Sequence, residues 1–98
     1  MGVTIPRVYR GYVSDLVREL NRDPVSLAGS LSLLGRVLLR VLGYAVVARV
    51  RVVTPDGVEG EERIYLARCP RCGALYADYP HGYTMYLVCP RCGYRVYI

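Results

Sequence analysis

The four cysteines of the chain lie in two identical segments, CPRCG at residues 69–73 and CPRCG at residues 89–93. Two residues separate the cysteines of each pair, and sixteen residues separate the pairs. A turn of this kind directs both sulfurs to one point, and the following glycine can adopt the positive φ that the turn needs. Four thiolates around one ion are the donor set of a structural zinc site, with Zn–S distances of about 2.3 Å. The spacing therefore predicts one structural Zn²⁺ ion, held by Cys69, Cys72, Cys89 and Cys92.

The cysteines permit three other interpretations. An iron site uses the same four ligands and stays open as an alternative to zinc. A disulfide within one C-x-x-C segment is typical of redox proteins, and two symmetric pairs that each precede a glycine favour metal instead. A catalytic zinc needs an open coordination position, and four cysteines leave none. His81 falls in a turn and is expected to be solvent-exposed rather than a ligand.

Metal binding also changes the charge of the chain. The formal charge is +5, from thirteen arginines and eight acidic residues. Four thiolates and one Zn²⁺ together contribute −2, so the metal-bound protein carries about +3. Arg71 and Arg91, one in each cysteine segment, either neutralise this anionic centre or contact a partner.

The segments around the cysteines predict a zinc ribbon. Residues 74–88 are typical of two strands joined by a turn at Pro80–Gly82, and residues 94–98 can add a third strand. A segment this short has little apolar core of its own, so metal binding would contribute its folding free energy, of order 10 kcal/mol. We therefore expect a three-stranded zinc-ribbon unit over residues 68–98.

The first half of the chain predicts helices. Apolar residues recur at helical spacing over residues 7–21, and Pro6 is typical of a helix start. A short helix is expected over residues 25–30, and Ser32 can cap another over residues 33–42 that ends at Gly43. One long helix over residues 25–42 is the alternative. The predicted buried stripe of the last helix comprises Leu34, Val37, Leu38, Val41 and Leu42.

Residues 44–68 predict a β-hairpin. Alternation with a period of two indicates strands over residues 44–53 and 61–68, joined by a turn over residues 54–60. In the first strand the alternation places one set of residues on one face: Val46, Ala48, Val50 and Val52. The other face of the first strand would carry Arg49 and Arg51. On the second strand, Ile64 and Leu66 would lie on one face, and Arg63 and Tyr65 on the other.

Three helices followed by a hairpin is the element order of the winged helix-turn-helix. The segment GRVLLRVLGYAVVARVRVVTPDGVEGEERIYLA, residues 35–67, resembles the last helix and the wing of that family. Together with the two CPRCG segments, the chain resembles an archaeal winged-helix–zinc-ribbon family, thought to bind DNA, and more distantly the halves of the archaeal transcription factor E α subunit. The resemblance implies an α+β fold, with a winged-helix domain over residues 1–67 and the ribbon over residues 68–98.

The resemblance also implies duplex DNA as a partner. In the family the helix before the wing enters the major groove, and here that helix would offer Ser32, Arg36 and Arg40. From the strand pattern, Arg49, Arg51 and Arg63 could line a basic sheet face and contact phosphates. The tip of the hairpin opposes this, because four of the eight acidic residues lie within seven residues there: Asp56, Glu59, Glu61 and Glu62. The alternative is that Arg36 and Arg40 only make the surface of the helix polar and solvent-exposed.

Composition narrows the functional classes. Every basic residue except His81 is arginine and every aromatic residue is tyrosine, six of them in the ribbon segment. Tyrosines suit protein interfaces and base stacking alike. We find no nucleophile–base arrangement, no paired carboxylates and no phosphate-binding loop, and therefore expect no enzyme. The hypothesis is a DNA-binding transcriptional regulator, with homodimerisation left open. The alternative is a protein-interaction module that docks on a larger machine such as RNA polymerase or the ribosome.

The apolar segments predict a cytoplasmic protein. The N-terminal residues lack the apolar stretch of a signal peptide. The longest uncharged run in the helical region, residues 25–35, is far shorter than the roughly 20 residues that a membrane span needs.

Overall fold

The structure, a computed structural model, describes residues 5–98. Within this range, three consecutive helices and six strands form an α+β arrangement. In chain order the elements are β1 (Val8–Arg10), α1 (Val13–Leu20), α2 (Pro24–Gly29), α3 (Leu33–Leu42), β2 (Tyr44–Val53), β3 (Glu59–Arg68), β4 (Leu75–Asp78), β5 (Tyr86–Val88) and β6 (Arg95–Tyr97). The first four strands form one sheet in the order β1-β2-β3-β4, and β5 pairs with β6 in a second sheet.

The start of the chain differs from the helix predicted over residues 7–21. Residues 8–10 form strand β1, which pairs in parallel with β2, and helix α1 begins only at Val13. The edge of β2 supplies the reason, because the Arg51 N–H donates to the Arg7 carbonyl and the Gly11 N–H donates to the Val53 carbonyl, each at 2.9 Å. Gly11 then leaves the strand with a φ of +144°, a conformation that suits glycine.

Helices α2 and α3 begin and end close to the predicted residues, and the chain is not one long helix there. The Asp23 carboxylate caps α2 by accepting a hydrogen bond from the Ser26 N–H at 3.3 Å. The Ser32 hydroxyl caps α3 by accepting from the Gly35 N–H at 3.1 Å, as predicted. Gly43 ends α3 with a left-handed φ of +84°.

The predicted buried stripe of α3 is wrong for four of its five residues. Leu34, Val37, Val41 and Leu42 are 49–72 % exposed, and only Leu38 is partly buried against the core. The buried position of the helix is Gly35, where an added Cβ would lie 3.2 Å from a methyl carbon of Leu31. Since every residue of α3 except two arginines is apolar or glycine, the sequence pattern alone does not select the face that packs.

The β2–β3 hairpin is present, with an irregularity that changes which residues are buried. The pairing register shifts between Val46 and Ala48, as in a β-bulge. Ala45, Val50 and Val52 are therefore the fully buried residues of β2, whereas Val46 is 43 % exposed. The predicted grouping of Val46 with Val50 on one face is wrong, because one extra residue reverses the alternation.

Strand β4 pairs with β3 rather than with β5, which corrects the predicted three-stranded ribbon. The pairing runs from Tyr65 opposite Asp78 to Arg68 opposite Leu75. In the described residues the ribbon sheet therefore has two strands, β5 and β6, and the larger sheet continues across the predicted boundary between residues 67 and 68. The division into two units stays a prediction, and residues 1–4 of the first unit lie outside the described range.

Side chains on β3 alternate between two hydrophobic clusters. Ile64 and Leu66 pack under the helices, together with Leu16, Leu20 and Leu27. On the opposite face, Tyr65 and Ala67 pack with residues of the cysteine segments and ribbon: Cys69, Tyr76, Leu87 and Cys89. The four-stranded sheet is thus covered by helices on one face and by the ribbon on part of the other. No helix within residues 5–98 is both long and apolar enough to cross a membrane.

Candidate metal centre and the surfaces around it

The two CPRCG segments form the same turn. In the first, the Gly73 N–H donates to the Cys69 carbonyl at 2.8 Å. In the second, the Gly93 N–H donates to the Cys89 carbonyl at 2.9 Å. Both glycines have positive φ, +76° and +78°, as the sequence predicts for this position. The repeated sequence therefore produces a repeated backbone geometry.

The two turns bring the four sulfurs together. All four Sγ atoms lie within 4.8 Å of one another, and the cysteines form no disulfides. The Sγ atoms of Cys69 and Cys92 are 3.4 Å apart, and those of Cys72 and Cys89 are 3.6 Å apart. A tetrahedral site with Zn–S bonds of about 2.3 Å has S···S edges of about 3.8 Å. The predicted ligands are thus confirmed as a cluster whose size and chemistry fit one structural Zn²⁺ ion.

The electrostatics of the cluster also favour a cation. Burial opposes ionisation of Cys69, yet backbone N–H groups of Cys72 and Arg71 near its sulfur lower the pKa of Cys69 to about 6. For Cys92, the backbone N–H of Tyr94 favours the thiolate, but burial and the neighbouring sulfurs outweigh it and raise the pKa to about 12. The sulfurs around Cys92 thus oppose its ionisation, and a cation among them would offset that repulsion.

A buried carboxylate that the sequence analysis missed joins the main sheet to the ribbon. Asp78, at the end of β4, is the one buried charged residue within residues 5–98. Its carboxylate accepts a hydrogen bond from the Val88 N–H at 2.7 Å, one residue before Cys89. The His81 Nε2 atom lies 3.1 Å from each carboxylate oxygen. No sequence motif marks Asp78, because the backbone N–H that it binds is ten residues away.

His81 occupies the predicted turn but is less exposed than expected. Its side chain is 29 % exposed, and its ring lies 4.2 Å from the Tyr79 ring and 5.8 Å from the Tyr86 ring, measured between centroids. In the described chain the sulfur cluster contains the four cysteines alone, so His81 supports Asp78 rather than a metal ion.

The ribbon tyrosines divide between core and surface. Tyr76 is fully buried, and within residues 5–98 its hydroxyl has no hydrogen-bond partner. Burial and the adjacent cysteine sulfurs raise the pKa of Tyr76 above its ordinary value. Tyr83, Tyr94 and Tyr97 are exposed, and the Arg95 guanidinium lies 4.7 Å from the centre of the Tyr86 ring.

The six predicted nucleic-acid contacts lie on two separate faces. Ser32, Arg36 and Arg40 are exposed on α3, which packs on the helix-covered face of the sheet. The other three lie on the opposite, open face of the sheet: Arg49, Arg51 and Arg63. On that face Arg49 and Arg63 are direct cross-strand partners, and Arg51 pairs with Glu61. Glu61 offsets part of this charge, since its carboxylate lies 3.9 Å from the Arg49 Nε atom.

The open face contains one further arginine that the sequence analysis missed. Arg10 of β1 is exposed and lies opposite Val53, on the same side of the sheet as Arg51. The residue was missed because its segment was predicted as helix, and only the parallel pairing with β2 reveals its position. Arg10, Arg49, Arg51 and Arg63 are called the arginine face below.

The exposed side of α3 carries five aliphatic side chains. Their exposed fractions range from 49 to 80 %, and the residues are Leu33, Leu34, Val37, Val41 and Leu42. This set is called the α3 stripe below.

Two depressions lie beside α3, and only the smaller one is lined by residues of the α3 stripe. The larger, of about 670 Å³, lies between α3 and the first cysteine turn, and its lining residues include Arg36, Arg40 and Arg68. The smaller, of about 430 Å³, is lined by Leu33, Arg36, Val37 and Arg40. The same two arginines of α3 thus line both depressions.

Comparison with known proteins finds no matching family model, no matching curated protein and no matching solved structure. Function must therefore be inferred from the side chains described above.

Proposed function

We propose that the chain is a protein-interaction module, folded around one structural zinc ion, that docks on a partner protein through the α3 stripe. The observation that carries this proposal is the exposure of five aliphatic side chains on one helix. Burying a leucine or valine side chain contributes about 1.5–3 kcal/mol, so exposing five forgoes a large stabilisation. Contiguous exposed apolar surface of this extent is typical of protein interaction sites.

The metal has a structural role in this proposal. Four thiolates saturate a tetrahedral zinc ion and leave no position for substrate or water. Cys69 and Cys89 are fully buried between the main sheet and the ribbon, where a bound ion would hold the two parts together. An enzymatic role forms no part of the proposal.

The geometry of α3 favours a protein over DNA as its partner. Recognition helices contact base edges through polar side chains. Here the Ser32 hydroxyl already caps the helix, and aliphatic residues of the α3 stripe lie beside Arg36 and Arg40. Leucine and valine side chains have no groups that hydrogen-bond to base edges or phosphates, whereas they can pack against an apolar protein surface.

A nucleic-acid partner is the second candidate, and the arginine face supports it. Four arginines on one side of a sheet can contact phosphates, although Glu59 and Glu61 offset part of their charge. This second candidate includes three further proposals: a winged-helix fold, kinship with archaeal winged-helix–zinc-ribbon proteins, and a role in transcription. The order from α1 to β3 supports it, whereas β1 and β4 add strands on both sides of the hairpin.

Site-specific photo-crosslinking tests the proposal. A photoreactive residue at Val37 should give one discrete protein adduct in cells, and Leu34→Ser/Val41→Ser should abolish it. The matched control is the same residue at Val58, which is 61 % exposed on the hairpin turn. Equal adducts at both positions, or none at Val37, contradict docking through α3.

A salt titration of duplex DNA binding tests the second candidate. That candidate predicts affinity that falls steeply with salt, and a shallower slope after Arg49→Ala/Arg63→Ala. Absence of DNA binding at low salt would remove it.

A further inference from the structure

We infer that the α3 stripe binds an acidic amphipathic helix, a partner segment with a row of aliphatic side chains flanked by aspartate or glutamate. The inference rests on the proposed function, because it names the chemistry of the partner that docks on α3. It draws on three observations: the spacing of the stripe, the charge of its border and the poor fit of other occupants.

The spacing of the α3 stripe suits a helical partner. Leu34, Val37 and Val41 recur at i, i+3 and i+7, which places them along one side of the helix. α3 has ten residues and is therefore about 15 Å long. A partner helix of similar length can pack its own i, i+3, i+7 row against this one, as in helix-in-groove recognition.

The charged residues that line the depressions beside α3 are all arginines. Arg36 and Arg40 lie with Leu33 and Val37 around the smaller depression, and the same two arginines line the larger one with Arg68. No aspartate or glutamate occurs between Asp23 and Asp56 along the chain, and none lines either depression. A partner that buries the stripe must lie beside these arginines, so its flanking residues should be carboxylates.

The arginines keep donors available for such carboxylates. One N–H of Arg36 donates to the Gly29 carbonyl and one of Arg68 donates to the Gly73 carbonyl, both at 3.2 Å. A guanidinium has five N–H donors, so each of these side chains retains others. The backbone contacts hold both guanidinium groups in place, which suits the two-pronged geometry of an arginine–carboxylate pair.

A second copy of the chain fits this surface poorly. In a twofold α3–α3 contact the same patch occurs on both sides. Arg36 and Arg40 of each copy would meet arginines of the other, with no acidic residue in either α3 to compensate. Charge complementarity therefore favours an acidic partner over self-association.

Two synthetic peptides test the inference with the intact zinc-loaded protein. The first is a 14-residue helix with leucines at i, i+3 and i+7 flanked by glutamates, and the second replaces every glutamate by lysine. The glutamate peptide should shift the backbone amide NMR signals of α3 and should bind at least tenfold more tightly than the lysine peptide.

Charge reversal on the protein sharpens the test. Arg36→Glu/Arg40→Glu should weaken the glutamate peptide at least tenfold and strengthen the lysine peptide. The matched control, Arg49→Glu/Arg63→Glu on the opposite face of the sheet, should change neither affinity. Zinc content and NMR signal dispersion verify that each variant is folded, and Arg36→Lys/Arg40→Lys should retain only part of the binding, because lysine keeps the charge but not the two-pronged geometry.

Several results overturn the inference. Equal binding of both peptides refutes the acidic preference but leaves docking through the α3 stripe intact. If neither peptide binds but Val37 still gives a crosslinked adduct, the acidic helical partner is refuted and the proposed function stands. Concentration-dependent shifts of the α3 amides without peptide would show a second copy on the stripe, and shifts caused by duplex DNA would show a polyanion there.

Discussion

Replacing Asp78 tests how the ribbon is attached to the main sheet. The carboxylate of this buried residue accepts the Val88 N–H at 2.7 Å and contacts His81 Nε2 at 3.1 Å. Asp78→Ala removes both interactions and leaves the Val88 N–H without its acceptor, directly before Cys89. Asp78→Asn keeps one side-chain oxygen that can accept from the Val88 N–H, but it removes the charge and replaces the second oxygen by an NH2 group.

The expected magnitudes follow from these contacts. A hydrogen bond to a charged group contributes about 1.5–3 kcal/mol, and the contact with the partly exposed His81 about 0.5–1.5 kcal/mol. We expect Asp78→Ala to lower the free energy of unfolding by about 2–4 kcal/mol and Asp78→Asn by less. For a domain of this size, each kcal/mol lowers Tm by about 4–8 °C, so the alanine variant should melt about 10–30 °C below the parent.

Thermal and chemical unfolding of the zinc-loaded variants measure these differences. His81→Ala isolates the histidine contribution, and the double variant completes a double-mutant cycle. Hydrogen exchange at the Val88 amide reports the lost acceptor directly. If Asp78→Ala costs no more than His81→Ala, the bond to Val88 contributes nothing and the proposed attachment of the ribbon is wrong.

Three further predictions concern the metal, the edge strand β4 and α3. Elemental analysis should find one zinc per chain. Cys89→Ser should lose the zinc, and the NMR signals of β5 and β6 should then show disorder. Lowering the pH should release the metal as the thiolates are protonated. The Asn21 side chain donates to the Ala77 carbonyl at 2.9 Å and accepts from its N–H, so Asn21→Ala should cost about 1–3 kcal/mol in urea unfolding; an unchanged midpoint would contradict this role. Leu34→Ala should change stability by less than about 0.5 kcal/mol, because the side chain is exposed, whereas Leu20→Ala should cost about 2–5 kcal/mol; similar losses would mean that α3 packs by its other side.

The metal ligands could be predicted because their geometry is local. A C-x-x-C-G segment defines its own turn, and the donor chemistry of four thiolates limits which ions fit. The chain between the two segments then has only to bring them together, which it does although β4 pairs with β3 and β5 pairs with β6. The same locality explains why the Ser32 cap and the Gly43 stop of α3 were predicted, since each depends on hydrogen bonds within one turn of helix.

The packing face of α3 could not be predicted, because nearly all its residues are apolar and periodicity requires a polar side for contrast. In the structure Gly35 is buried and Leu38 and Leu39 pack against the core, so the α3 stripe that carries the proposed function faces outward.

The sequence by itself determined the two cysteine turns, the ends of α2 and α3 and the hairpin, since these depend on neighbouring residues and on the chemistry of their side chains. The tertiary structure alone decided that residues 8–10 join β2 in parallel, that β4 extends the main sheet and that Asp78 reaches Val88. It also brought Arg10 to the face that carries Arg49 and Arg63. Each of these depends on hydrogen bonds between residues that are not neighbours in the chain, and the periodicity of the sequence does not indicate such pairings.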